Sequence, residues 1–302
     1  MPKVPQCESP LMIKYTTFDE YKEKFKDLFL LERSESGVLT AKWHKNGDSA
    51  PWDYPLHRGL GQLFWTVGQD AETEVLIIGG AGDNWLIASD QTSIKETLQT
   101  QAWSYYEHSY YDGCNMIEGL VNDVEQPTIG VINGGYCFHS EIALLCDITL
   151  MAEDAVIADP HYILGGVPGD GIEIGLRTAM GYKRANYAML TGQRIDAKTA
   201  LEYGMVNEVL PKDKIWQRAQ EIGEQIAKAP RITRRVTTQI TREPVKEQLA
   251  KELRMTFGTE MWSSLAISIS KDNDVVTHDE ATRKLQRINA EEDAREAASK
   301  KE

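Results

Sequence analysis

Two apolar runs that end in glycine constrain the fold of this chain more than any other feature. They are EVLIIGG at 74–80 and TIGVING at 128–134, and a helical pattern over 91–124 lies between them. A continuous apolar run of this length, followed by glycine, is typical of a buried strand that leads into a loop. Strand, helix and strand in this order predict parallel strands in a βαβ-type unit, and therefore an α/β fold.

The surrounding pattern extends this unit in both directions. Before it, YKEKFKDLFLLERSESG (21–37) predicts a short helix and a turn, and VLTAKWH (38–44) predicts a strand. After it, SEIALLCD (140–147) predicts a buried helix, and ITLMAEDAVIAD (148–159) predicts two short strands around a turn. From 213 onward the pattern is almost entirely helical. We expect four segments, namely an N-terminal extension at 1–36, a core at 37–212, a helical region at 213–270 and a charged helical tail at 271–302.

Charge and apolar content argue against several classes of partner. The chain has 33 Lys and Arg against 46 Asp and Glu, a net charge of −13, which disfavours nucleic-acid phosphates and anionic membranes. It has no run of about 18 apolar residues, and the N-terminal sequence lacks the apolar region of a signal peptide. Its four cysteines form no CxxC pair, which disfavours a zinc ribbon. We expect a cytoplasmic protein with free thiols.

Three segments resemble a known family. They are EVLIIGGAGDNWLIASD (74–90), GVINGGYCFHSEIALLCDITLMAEDAVIADP (130–160) and TGQRIDAKTALEYGMVNEVLP (191–211). In combination they resemble the crotonase, or enoyl-CoA hydratase/isomerase, superfamily over about residues 35–265. The resemblance implies a core of ββα turns, a C-terminal helical trimerisation region, and a homotrimer or a dimer of trimers. It leaves the reaction open, because this fold supports several chemistries.

The chain departs from the CoA-dependent pattern of that superfamily at its glycines and at one glutamate. Cys137-Phe138-His139 replaces a run of three glycines, and His161 stands where hydratases carry a catalytic glutamate after proline. These departures resemble the branch that contains 6-oxocamphor hydrolase and the β-diketone hydrolases. That branch has a His-x-Glu helix start and a Pro-His…Val-Pro-Gly-Asp-Gly segment, which residues 139–141, 160–161 and 167–171 match.

The resemblance implies residues that activate water and hold an enolate. His161, oriented by Asp170, would be the base, since imidazole has a pKa near neutral pH. His139 would donate to a substrate carbonyl or protonate the enolate. The backbone N–H groups of Ser89 and Phe138 would stabilise the oxyanion.

Looser matches imply two further site residues. Trp52 would donate its indole N–H to a carbonyl, and Glu260 would orient the water or the histidine. Glu141 is either catalytic or the cap of its own helix. Without the resemblance, His161 and Asp170 also fit an ordinary turn rich in glycine and proline.

We therefore expect an enzyme that hydrolyses the carbon–carbon bond of a cyclic β-diketone to a keto acid in a retro-Claisen reaction. It would take a small-molecule diketone and use no cofactor and no metal. Two alternatives stay open: a CoA-thioester hydratase, isomerase or hydrolase of the same family, in which Glu141 matters more, and a non-catalytic binding or scaffold subunit. The charged ends, 1–36 and about 270–302, would suit docking to a partner.

Overall fold

A computed structural model describes residues 15–87 and 102–269 of the chain, with isolated positions between 287 and 298. Its helices are α1 (Phe18–Phe25), α2 (Tyr54–Gln69), α3 (102–123), α4 (Glu141–Leu144), α5 (Ile172–Met180), α6 (Tyr182–Thr191), α7 (Ala197–Tyr203), α8 (Lys212–Ala227) and α9 (Arg231–Ile269). Its strands are β1 (Phe29–Arg33), β2 (Val38–Trp43), β3 (Val75–Gly80), β4 (Thr128–Ile132), β5 (Tyr136–Cys137), β6 (Ile148–Ala152), β7 (Val156–Ile157), β8 (Ile195–Asp196) and β9 (Glu208–Leu210). Two turns of α3, Tyr106–Tyr111 and Gly119–Asp123, are π-helical.

A six-stranded sheet in the order β1-β2-β3-β4-β6-β9 forms the centre of the fold. All neighbours in it are parallel except β1, which runs antiparallel to β2. The two glycine-ended runs are adjacent strands, because β3 pairs with β4 in parallel, with Leu76 opposite Thr128. A smaller sheet has the order β5-β7-β8. This mixed α/β architecture with helices at its C-terminal end confirms the predicted fold class.

The prediction of a helix and a turn over 21–37 is only half right. The helix ends at Phe25, and Phe29–Arg33 form the edge strand β1. Burial alternates along this strand, with Phe29 and Leu31 inside and Leu30 exposed, which is the period of a strand that covers a core with one face. The described part of the predicted extension is therefore joined to the main sheet.

Most other predicted elements are present with changed limits. The strand predicted at 38–44 is β2, and the two strands predicted within 148–159 are β6 and β7. The helix predicted at 140–147 is only the single turn Glu141–Leu144. The short segment between β5 and that turn contains two of the predicted site residues, Phe138 and His139.

Buried ion pairs attach the long helix α9 to the sheet. Glu74 accepts hydrogen bonds from Arg231 and Arg234 of α9, and Arg242 donates through Nε to Asp147 at 2.8 Å. Arg242 also donates to the backbone carbonyl of Gln126 at 3.0 Å. With its N-terminal half fixed in this way, α9 brings its later residues to the site described below.

Two further expectations concern helices and thiols. No helix in the parts of the chain described here combines the length and the apolar content needed to cross a bilayer. The three cysteines within these parts, Cys114, Cys137 and Cys146, are free and buried.

Candidate active site

The loop that leaves β4 turns sharply to reach the site. Gly134 and Gly135 have φ of 145° and 67°, and His139 has φ of 52°. A left-handed conformation is uncommon for a residue other than glycine and is enriched at functional positions. This loop delivers the His139 ring to the start of α4.

Two carboxylates hold the His139 ring through one nitrogen. Nδ1 lies 3.0 Å from Glu141 Oε1 and 3.3 Å from Asp170 Oδ2. Burial alone lowers the pKa of His139, but Glu141 and Asp170 outweigh burial and raise that pKa to about 10. His139 is therefore an imidazolium at neutral pH, and its Nε2–H makes no hydrogen bond to the residues described.

Trp52 covers the ring of His139. The two rings are stacked with their centroids 3.9 Å apart and an interplanar angle of 22°, which suits a cation–π contact. Behind Trp52, at 5.2 Å between ring centroids, lies His57, and burial lowers the pKa of His57 to about 4. A neutral histidine thus supports the tryptophan, a contact that the sequence pattern did not indicate.

His161 hydrogen-bonds to a different aspartate from the one expected. Its Nδ1 lies 2.7 Å from Asp159 Oδ1, and its backbone N–H donates to the same oxygen at 3.1 Å. This is an Asx-type turn, in which an aspartate binds the chain two residues ahead. The expected His161–Asp170 hydrogen bond is not among those of the described residues, and the structure replaces it with the His161–Asp159 bond.

Asp170 lies between the two histidines. One oxygen accepts from the N–H of Ile172 at the start of α5, and the other faces His139. One carboxylate oxygen of Asp170, one of Glu260 and one ring nitrogen of His161 lie within 4.8 Å of one another. Burial opposes the ionisation of Asp170, but His161 and His139 outweigh burial and hold the pKa of Asp170 below its ordinary value. Asp170 is thus a counter-ion for both His139 and His161. The turn before α5 directs its carboxylate toward His139.

Glu260 of α9 faces the second nitrogen of His161. Its Oε1 is 3.6 Å from His161 Nε2, and its Oε2 accepts from the N–H of Gly169 at 3.0 Å. Burial, and then the charge of Asp170, raises the pKa of Glu260 well above its ordinary value. The loosest of the sequence assignments therefore lies beside the predicted base.

Charge and burial set the proton affinity of the remaining groups. Burial lowers the pKa of His161, but Asp159, Glu260 and Asp170 outweigh burial and raise that pKa well above its ordinary value. Burial and Asp170 raise the pKa of Glu141 to about 7. The two histidines and the carboxylates around them form one cluster, which consists of His139, Glu141, Asp159, His161, Asp170 and Glu260. This cluster holds protons on both histidines more tightly than free imidazole would.

The two backbone donors implied by the family resemblance are the N–H groups of Ser89 and Phe138. Ser89 lies outside the described residues. The carbonyl of Phe138 accepts from the indole N–H of Trp85 at 2.8 Å, and no hydrogen bond from its own N–H to a described residue is found. The N–H of Phe138 is therefore available to a ligand beside His139.

Among the described residues, the side chains whose ligand atoms lie close enough together to hold a metal ion all belong to this cluster. They form two triads that share Asp170, one with His139 and Glu141 and the other with His161 and Glu260. Protonated histidines already balance much of this negative charge. A separate cavity of about 610 Å³ lies elsewhere, and its lining includes Asp147 and Arg242 but no residue of either triad.

Most of the sequence matches the model of a known family. The model of the enoyl-CoA hydratase/isomerase family matches residues 52–267, which include every described residue of the cluster. The chain belongs to this family. Its members named below are enzymes.

Curated relatives are similar over part of their length. The carnitinyl-CoA dehydratase of Citrobacter koseri is 30% identical over 171 residues, which cover 55% of this chain and 62% of that protein. The same enzyme of Proteus mirabilis is 30% identical over 172 residues, with 56% and 63% covered. The chain thus spans slightly less than two thirds of the length of these relatives.

Solved structures are similar over more of the chain. A β-diketone hydrolase from the cyanobacterium Anabaena sp. PCC 7120, bound to (S)-3-oxocyclohexyl acetic acid, is 31% identical with a TM-score of 0.77 and covers 82% of this chain and 98% of its own. An enoyl-CoA hydratase/isomerase from Mycobacterium paratuberculosis has a TM-score of 0.73 at 22% identity and covers 85% and 96%. The second similarity is one of fold alone.

Proposed function

We propose that the protein hydrolyses the carbon–carbon bond of a β-diketone, cyclic and apolar, in a retro-Claisen reaction. The observation that carries this proposal is the pair of half-buried histidines on either side of the buried Asp170 carboxylate. Hydrolysis of a diketone needs one group that takes a proton from water and another that holds an oxygen and returns a proton. His139, held as an imidazolium, supplies the second function, and His161 supplies the first in its neutral form, whose fraction rises with pH because the pKa of His161 is raised.

The first step is attack by water. His161 Nε2 takes a proton from a water molecule beside Glu260, and the hydroxide oxygen adds to one carbonyl carbon. The electron pair of that carbonyl moves to oxygen and forms an alkoxide. The Phe138 N–H and the indole N–H of Trp52 suit donation to this oxygen, since neither donates to a described residue. Preorganised donors of this kind contribute up to several kcal/mol, about 2.7–4 for one donor.

The second step is cleavage. The alkoxide electrons re-form the carbonyl as the bond between the carboxyl carbon and the α-carbon breaks, and this bond's electron pair becomes an enolate on the second ketone. The Nε2–H of cationic His139 protonates the enolate carbon. The carboxylic acid gives its proton to neutral His139, which restores that cation, and the proton on His161 leaves to solvent. The products are a ketone and a carboxylate, joined in one keto acid when the substrate is cyclic. No oxidant is consumed, because the second carbonyl accepts the electron pair.

Similarity to the Anabaena β-diketone hydrolase supports this reaction over others on the same fold. The curated relatives favour a second candidate, dehydration or hydration of a CoA thioester, in which Glu141 would be the acid or base. Against it stand His139 and Phe138, which bring side chains where CoA enzymes of the resembled family have glycines. Acyl-CoA binding would raise the melting temperature of the protein, whereas a diketone hydrolase would be unaffected.

The test is a product analysis over a panel of cyclic 1,3-diketones and acyl-CoAs in ¹⁸O-labelled water. We expect keto acids with one labelled oxygen in the new carboxylate, and no turnover of acyl-CoA. His161→Gln should lower kcat by about 10²- to 10⁴-fold. Hydration of an enoyl-CoA without diketone cleavage, or wild-type turnover by the His161→Gln variant, would overturn the proposal.

We also propose a homotrimer or a dimer of trimers. Ile232, Val236 and Ile240 follow one another at four-residue spacing on α9, and they are exposed by 71%, 45% and 69%. Apolar side chains on one helical face favour association. Light scattering that gives the mass of a monomer would contradict this assembly.

A further inference from the structure

Asp159 is a buried carboxylate to which the steps above assign no task. Its Oδ1 accepts both the Nδ1–H and the backbone N–H of His161, at 2.7 and 3.1 Å. The side chain is 2% exposed. A single buried oxygen thus holds both the main chain and the ring of the residue that is proposed as the base.

This double contact fixes the tautomer of the imidazole. When Nδ1 carries the proton shared with Asp159, the neutral ring has its lone pair on Nε2. Nε2 is the nitrogen that faces Glu260 at 3.6 Å, and a ring nitrogen of His161 lies within 4.8 Å of an oxygen of Asp170. The basic nitrogen therefore points into the carboxylate cluster and away from Asp159.

We infer that Asp159 is the positioning residue of His161, in the role that the family resemblance implies for Asp170. Asp159 selects the Nδ1–H tautomer and stabilises the imidazolium that forms when Nε2 takes a proton from water. Asp170 is left to serve His139. The assignment rests on the proposed function for its role in the rate, but the state of the His161 ring can be measured without any substrate.

Every charged group around His161 bears on its titration. Asp159 faces Nδ1 from the end of the segment after β7, Glu260 faces Nε2 from α9, and Asp170 approaches from the turn before α5, with His139 on its far side. Replacing Asp159 by asparagine removes the carboxylate that lies nearest to the ring, at 2.7 Å from Nδ1. The pKa of His161 should fall by about 1–3 units, the usual effect of one adjacent charge.

Asp159→Asn is a close match in shape. Asp159 Oδ2 is buried and has no partner among the described residues, so an asparagine NH₂ can take that position while the oxygen stays on His161. Asp70→Asn is a suitable control. Asp70 is also buried and accepts from Tyr21 and Thr73, both at 2.8 Å, and none of its partners belongs to the cluster.

The first measurement is an NMR titration of His161 that uses ¹⁵N-labelled imidazole. In the wild type we expect a hydrogen-bonded Nδ1–H signal in the neutral ring, and in Asp159→Asn a pKa lower by about 1–3 units. Asp70→Asn should lower the melting temperature and leave the pKa unchanged. An Nε2–H tautomer in the wild type would overturn the inference even if the asparagine variant did not fold.

The second measurement is diketone hydrolysis in a double-mutant cycle. Asp159→Asn should lower kcat by about 10²- to 10⁴-fold and shift the midpoint of the pH–rate profile downward. In a His161→Gln background it should change kcat by less than about twofold, because it acts through the ring. Equal losses in both backgrounds would overturn the inference. The expected NMR result without diketone cleavage by the wild type would instead reject the proposed function and leave the positioning of His161 intact.

Discussion

Replacing Glu141 by glutamine tests whether the cluster holds a permanent cation. Glu141 is fully buried, and its Oε1 is 3.0 Å from Nδ1 of His139. The pKa of His139, about 10, lies about 3.5 units above the ordinary 6.5, which corresponds to about 5 kcal/mol in favour of the imidazolium. Glu141 and Asp170, at 3.0 and 3.3 Å, lie at similar distances and share this effect. Because burial opposes the two carboxylates, losing Glu141 should remove at least half of this net effect, which is at least about 2 units.

We expect the His139 pKa of Glu141→Gln to lie at about 8 or below, measured by an NMR titration between pH 5 and 11. The sign of the stability change follows from linkage. A histidine with a raised pKa in the folded state loses its stabilising contribution as pH rises from about 6.5 to the folded pKa, and this window closes at about 8 in the variant. In the proposed diketone hydrolysis the His139 cation protonates the enolate, so the rate should decline above about pH 8 in Glu141→Gln and only near pH 10 in the wild type.

Glu252→Gln provides the control, since Glu252 pairs with Arg177 at 2.6 Å outside the cluster. It should leave the titration of His139 unchanged. A wild-type His139 that titrates near 6.5, or a shift below about half a unit in Glu141→Gln, would refute the argument that these carboxylates create a cation.

Two further substitutions test the attachment of α9. Gly169→Ala would place a Cβ against the backbone oxygen of Thr256 in α9, so it should cost about 1–3 kcal/mol of stability and reduce the proposed diketone hydrolysis. Gly258→Ala is the control, because its Cβ would contact only Tyr110, at 3.8 Å, among the described residues. The control should change neither the melting temperature nor the rate. Arg242→Met leaves the Asp147 carboxylate without its cation, and we expect a loss of about 3–5 kcal/mol in urea denaturation, whereas a loss below about 1 kcal/mol would contradict a structural role for this ion pair.

Local pattern predicted most of the strands because their side chains are buried on both faces. EVLIIGG and TIGVING became β3 and β4, which pair in parallel. The pattern failed at Phe29–Arg33, where FLLER follows a charged helix without a break in composition. Its strand conformation depends on pairing with β2, a contact that periodicity over so few residues does not reveal.

Within the site, the sequence identified residue types better than their partners. His139, Asp170 and Glu260 lie together with His161 although up to 121 positions separate them (260 − 139). Asp159 was missed, although Asp-Pro-His is a local signal for an Asx turn in which the aspartate binds two residues ahead. Ser89 lies outside the described residues, so its assignment as a backbone donor stays a prediction.

The sequence by itself determined the parallel α/β core, the family, and the presence of two histidines where related CoA enzymes carry glycine and glutamate. These follow from burial pattern and residue identity, which are properties of single positions. Only the tertiary structure decided that Asp159 binds His161, that Asp170 faces His139 and that Trp52 stacks on the His139 ring. A carboxylate's partner depends on the direction of its side chain and on the competing charges within a few ångströms, and both are set only when α9, the loop after β4 and the turn before α5 pack together.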